Sequence, residues 1–274
     1  MKLKWIVILP VILLFILLSG SVSAQKLADT TQPKYEITKL VIERLKRQRT
    51  LQIYLPKSYS TSSKKYPVIY IQDGQDAFIK DALDVDKWYA DSLVNLMPEE
   101  RQCILVAIYA GFGGSHVNEY NPYLGNSDGA IYASYLAKVV KPYIDANYRT
   151  KTDAKYTAIV GSYTGGIIAT YTAAKYSDIF GIAGIFSPAY KQSPGIFDDM
   201  AKQAINSRSG FFLAYGDAED NEADDVNRMS AILHHKKLSS KNVPSPFVIK
   251  GAKASQKQWR IDFEAFYNWF INKL

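Results

Sequence analysis

Tyr156-Thr157-Ala158-Ile159-Val160-Gly161-Ser162-Tyr163-Thr164-Gly165-Gly166 decides the fold. A short apolar run of strand type ends at Val160. Glycines stand two before and two after Tyr163, and a small-residue helical stretch, Gly165 to Tyr176, follows at once. A strand that turns directly into a helix between flanking glycines is a nucleophile elbow, because the central residue sits in a strained turn that a flanking Cβ would obstruct. The usual centre is serine; here it is Tyr163.

Outward from that turn, strand-type and helix-type segments alternate. Strands are predicted over 35–42, 51–55, 68–72, 104–109, 156–160, 182–186, 211–215 and 247–250. Val68-Ile69-Tyr70-Ile71 and Ile104-Leu105-Val106-Ala107-Ile108 are apolar without alternation, as in strands buried on both faces. Helices are predicted around 131–143, 165–176, 225–238 and 260–274, with Ser127 or Asp128 as a cap for the first. This order implies an α/β domain with a mostly parallel sheet covered on both sides. Residues 110–126, rich in glycine, asparagine and tyrosine, are predicted to be an ordered loop. Arg44 to Arg49 reads as a solvated hairpin turn.

The chain has 274 residues, 47% hydrophobic and 22% charged, which excludes a disordered chain. Cys103 is the single cysteine, so no internal disulfide can form. Lys2 and Lys4 precede the apolar run 5–18, and Val22-Ser23-Ala24 fits a signal-peptidase site. Residues 1–24 are therefore expected to be a signal peptide, 25–34 a flexible arm and 35–274 the domain. Export to a bacterial periplasm or beyond the cell is expected, with no membrane anchor after cleavage. The charge left after cleavage, formally +5 because Lys2 and Lys4 leave, is scattered and does not suggest a nucleic-acid partner.

Several motifs in order resemble the putative esterase family of the α/β-hydrolase superfamily, which includes esterase D-like, feruloyl-esterase-like and siderophore-esterase-like proteins. They are Arg49-Thr50-Leu51-Gln52-Ile53-Tyr54-Leu55-Pro56, Tyr66-Pro67-Val68-Ile69-Tyr70, Asp73-Gly74-Gln75, Glu119-Tyr120-Asn121-Pro122, Lys141-Pro142-Tyr143-Ile144-Asp145 and Phe186-Ser187-Pro188-Ala189. The resemblance implies an α/β-hydrolase fold over nearly all of residues 35–274. It places Tyr163 in the nucleophile slot, Glu219 in the acid slot and Ala254 in the histidine slot. It implies an oxyanion hole at Gly74, Gln75 and Thr164, and a cleft wall that includes Glu119 and Tyr120. His116 stands where the family usually has arginine, and His234 and His235 fall on a helix, away from the triad positions.

A serine hydrolase needs a base to take the hydroxyl proton and a third group to orient that base. Losing nucleophile or histidine costs about 10⁶ in kcat, and losing both costs little more. The resulting expectation is a catalytically degenerate esterase-family protein that binds a small molecule, an acyl group or a carbohydrate in the old cleft. The alternative is an active ester hydrolase or acyltransferase built around Tyr163 and Glu219. A protein-interaction module on the loop face is a third reading. The acids between 217 and 225 lack the glycine of a calcium loop, so neither a metal nor a cofactor is expected.

Overall fold

The computed structural model describes residues 34–78, 86–219 and 222–274. Eight strands form one sheet: β1 (Lys34–Ile42), β2 (Arg47–Leu55), β3 (Val68–Ile71), β4 (Ile104–Ile108), β5 (Thr157–Ser162), β6 (Ile182–Phe186), β7 (Gly210–Gly216) and β8 (Phe247–Ile249). Their spatial order is β1-β2-β4-β3-β5-β6-β7-β8. β1 and β2 pair antiparallel, β2 joins β4 antiparallel, and the rest run parallel.

The helices are α1 (Ala90–Leu96), α2 (Gly114–Tyr120), α3 (Gly129–Tyr135), α4 (Lys141–Asn147), α5 (Thr164–Lys175), α6 (Gly195–Lys202), α7 (Glu222–His235) and α8 (Gln256–Asn272). A π-helical turn, Leu136–Val140, joins α3 to α4. Ser127 Oγ accepts the Gly129 amide at 3.0 Å, which satisfies a donor at the start of α3.

The apolar runs work as expected of strands buried on both faces. Val68 and Tyr70 enter one core with residues of α3 to α7, while Ile69 and Ile71 enter a second core with α1 and α8. Ile104, Val106 and Ile108 separate from Leu105 and Ala107 in the same way.

Three sequence expectations need correction. Residues 110–126 are not loop throughout, since α2 lies within them. α1 and α6 were likewise not expected. The basic run is a solvated turn only in part: the turn is Glu43–Leu45, and Arg47 and Arg49 belong to β2. The expected signal peptide, 1–24, and residues 25–33 of the expected arm lie outside the described residues; Lys34 already belongs to β1.

The chain leaves β3 toward β4 and leaves β5 toward β6, although β3 and β5 are neighbours. Their carboxyl ends therefore diverge at a topological switch point, where open α/β sheets bind ligands. The loop Asp73–Asp76 and the turn at Tyr163 meet there.

Candidate active-site cleft

The elbow forms as its glycines require. Tyr163 has φ 50° and ψ −117°, a conformation costly for a residue with a Cβ. Its amide donates to Phe186 O at 3.0 Å, and its carbonyl accepts from Gly166 N and Ala189 N, each at 3.1 Å. A Cβ on Gly161 would collide with the Gly165 carbonyl, so glycine is needed for this close approach. Ser162 is buried and Tyr163 exposed, so the serine faces away from the cleft.

The Tyr163 hydroxyl accepts a hydrogen bond from Gln192 Nε2 at 2.7 Å. Among the described residues, no carboxylate or imidazole reaches that hydroxyl. Gln192 is a neutral amide donor; it cannot take a proton.

Glu219 is at the carboxyl end of β7. Its Oε1 accepts from Gly216 N at 2.7 Å, Ser187 Oγ at 2.7 Å and Gln258 Nε2 at 2.8 Å. Its Oε2 is buried without a hydrogen-bond partner among the described residues. Ala254 is exposed on the loop between β8 and α8. That loop is tied to the acid loop by Ala218 N to Ala252 O at 3.1 Å and by Gly251 N to Asp217 Oδ1 at 2.5 Å. The positions expected for the acid and the histidine thus lie on joined loops, and of the two only Glu219 has an ionisable side chain.

Beneath Gln258, Asp262 is fully buried. Burial is the main cause that pushes its carboxyl up to about 8, with Gln258 opposing and Glu219 adding to the rise.

In the β3 loop, Gly74 lies against the backbone of Ala107 and Ile108, where a Cβ would not fit. Gln75 Oε1 accepts from Ala110 N at 3.2 Å, and Lys87 Nζ donates to Gln75 O at 3.0 Å and Asp76 Oδ1 at 2.9 Å. The backbone amides of Gln75 and Thr164 have no acceptor among the described residues. Amides of this kind serve oxyanions whatever their side chains.

Glu119 and Tyr120, expected on the cleft wall, are instead fully buried behind it. α2 turns them inward. Glu119 accepts from Arg49 Nε and Arg47 Nη1, each at 2.9 Å, and also pairs with Arg49 Nη2. Tyr120 Oη accepts the Asp73 amide at 3.0 Å, which holds Asp73 at φ 53°. His116 of α2 also reaches the β3 loop. Its Nε2 lies 3.1 Å from Asp73 Oδ1, at ion-pair distance but off the line of a good hydrogen bond. Its ring meets Tyr120 edge-on, 4.5 Å between centroids. The Asp73 contact raises its pKa above the ordinary 6.5, with burial and Arg49 opposing and Glu119 adding to the rise.

The family model described as Putative esterase matches residues 42–260. The chain belongs to this family. The uncharacterized protein YbbA of Bacillus subtilis is 24% identical over 186 residues, covering 66% of this chain and 72% of YbbA. Esterase Rv1288 of Mycobacterium tuberculosis is 28% identical over 142 residues, half of this chain but only 28% of that protein's length. Among solved structures, a ferulic acid esterase aligns over 89% of this chain and all of its own, with TM-score 0.65 and 18% identity. The enterobactin esterase FES from Shigella flexneri aligns over 88% of this chain and 60% of its own, with TM-score 0.71 and 16% identity. These likenesses establish a shared α/β-hydrolase fold.

Within the esterase frame, Gln192 and Gln258 are site residues that the sequence does not mark, and the individual roles of Ser187 and Asp73 are not legible in it. Ser187 and Asp73 lie inside the motifs Phe186-Ser187-Pro188-Ala189 and Asp73-Gly74-Gln75, which mark the segments but not these side chains. Gln192 and Gln258 carry no pattern that separates them from surface glutamines.

Proposed function

We propose that this protein is a catalytically degenerate member of the esterase family that binds an acyl or carbohydrate ligand in the cleft above Tyr163. We further propose that it acts after export, a reading that rests on the sequence pattern of residues 1–24. The observation that carries the loss of chemistry is the Gln192 amide on the Tyr163 hydroxyl. A phenol with ordinary pKa about 10 needs a base to become a nucleophile, and its neighbour here only donates. The framework that would position a ligand is retained: the elbow, the free amides of Gln75 and Thr164, and Glu219.

An active site around Tyr163 and Glu219 has less support. Three donors already hold one oxygen of Glu219, and its hydrogen bonds do not include Tyr163. The test is intact-mass analysis after incubation with nitrophenyl acetate and with a fluorophosphonate. The proposal expects no adduct on Tyr163 or Ser162. A stoichiometric adduct on Tyr163 would overturn it.

A further inference from the structure

His116 and Asp73 form a pair beside the elbow that has no part in the proposed degenerate triad. Asp73 Oδ2 lies 3.0 Å from where a Cβ on Gly165 would be, which places this carboxylate at the elbow itself. Asp73 is fixed there by its left-handed backbone and by the Tyr120 hydroxyl on its amide. His116 Nε2 is buried against it, yet about a third of the His116 side chain (32%) is exposed. The solvent-reached edge is therefore the rest of the ring, including Nδ1, which has no hydrogen bond among the described residues. A histidine held by a carboxylate at one nitrogen presents the other as a donor when protonated.

The charged and titratable groups around the ring are Asp73 from the β3 loop, Glu119 and Tyr120 from its own helix α2, and Arg49 from β2. Arg49 is committed to Glu119. Lys87, beside the Gln75 carbonyl, is committed to Asp76, so among these groups the His116 imidazolium keeps an open edge for a ligand.

We infer that His116, oriented by Asp73, is the proton-dependent anchor for a carboxylate group of the cleft's ligand. This rests on the reading that the cleft binds an acyl ligand, and it names the ligand class: a carboxylic acid in its ionised form. Binding is full while His116 is protonated and is lost as pH rises through its raised pKa. Asp73 is a positioning residue in this account.

The experiment is calorimetric titration of the protein with benzoate and with neutral benzamide at about pH 6 and pH 9. Benzoate is ionised at both, so only the protein titrates. The expected result is about a tenfold weaker benzoate affinity at the higher pH, the scale of one charge-assisted hydrogen bond. His116→Gln should be weak at both, His116→Lys tight at both, and benzamide indifferent to pH. Circular dichroism checks that each variant is folded. Benzoate binding that ignores pH or ignores His116→Gln would overturn the inference. Benzamide binding without benzoate binding would overturn the carboxylate assignment and leave the acyl-binding cleft standing. Binding of neither would overturn both.

Discussion

Tyr163 carries two costs at once. It occupies a turn that favours glycine, and its hydroxyl is spent on Gln192. Tyr163→Gly should therefore raise stability by about 1 kcal/mol, measured by urea unfolding, since the strained conformation is worth roughly 1–3 kcal/mol. Destabilisation instead would show that the exposed ring packs more than it strains. Asp262 gives a pH-dependent prediction. Its carboxyl titrates near 8 in the folded chain against an ordinary 3.8, so the folded state keeps a proton that the unfolded state releases. Its contribution favours folding fully below the ordinary value and fades as pH rises toward about 8. Unfolding free energy should fall by a few kcal/mol between about pH 5 and pH 8.5, at about 1.4 kcal/mol per pKa unit, and Asp262→Asn should flatten that fall. An identical slope in the variant would place the titration elsewhere. Neither prediction follows from sequence alone. Asp262 looks like the polar face of a helix until α8 is seen packed beneath Glu219.

At the scale of elements, α2 shows why part of the site was illegible. Gly113-Gly114 opens it, and it runs only seven residues, so loop composition outweighed helical spacing. Its place is fixed by tertiary contact: Arg49 and Arg47 on β2 reach across to buried Glu119. Glu119→Ala would leave Arg49 buried without its partner and should cost about 3–5 kcal/mol in urea unfolding. A cost below about 1 kcal/mol would mean that water readily replaces the pair. The elbow, in contrast, was legible, because two glycines at fixed spacing state a local steric need. The loops bearing Glu219 and Ala254 extend that logic. They are already joined, and Glu219 Oε2 has no hydrogen-bond partner among the described residues. Tyr163→Ser with Ala254→His should therefore gain nitrophenyl acetate turnover by at least about 10²-fold over either single change, given that the triad acts as a unit. Equal rates in all three would show that position 254 does not bring a histidine to Glu219 and residue 163.

Across the whole molecule, the set of strands was the most legible feature, for a physical reason; their order in the sheet was not. Strands buried on both faces must be apolar throughout, and β3, β4 and β6 have no residue outside the core. β2 begins four residues earlier than expected, because pairing with β1 extends it through polar Arg47 to Thr50. The switch point between β3 and β5 then places the candidate site, and the family match over residues 42–260 spans the same frame. What the frame does not carry is chemistry, which in the proposed reading turns on Tyr163, Gln192 and Ala254.

The central claim is that the covalent route is lost, and turnover of a short-chain nitrophenyl ester panel by the protein beside its Tyr163→Phe variant tests it most directly. The account predicts no turnover above buffer, or a slow rate that is the same in both proteins. Turnover that disappears in Tyr163→Phe would make the tyrosine a catalyst and contradict the account.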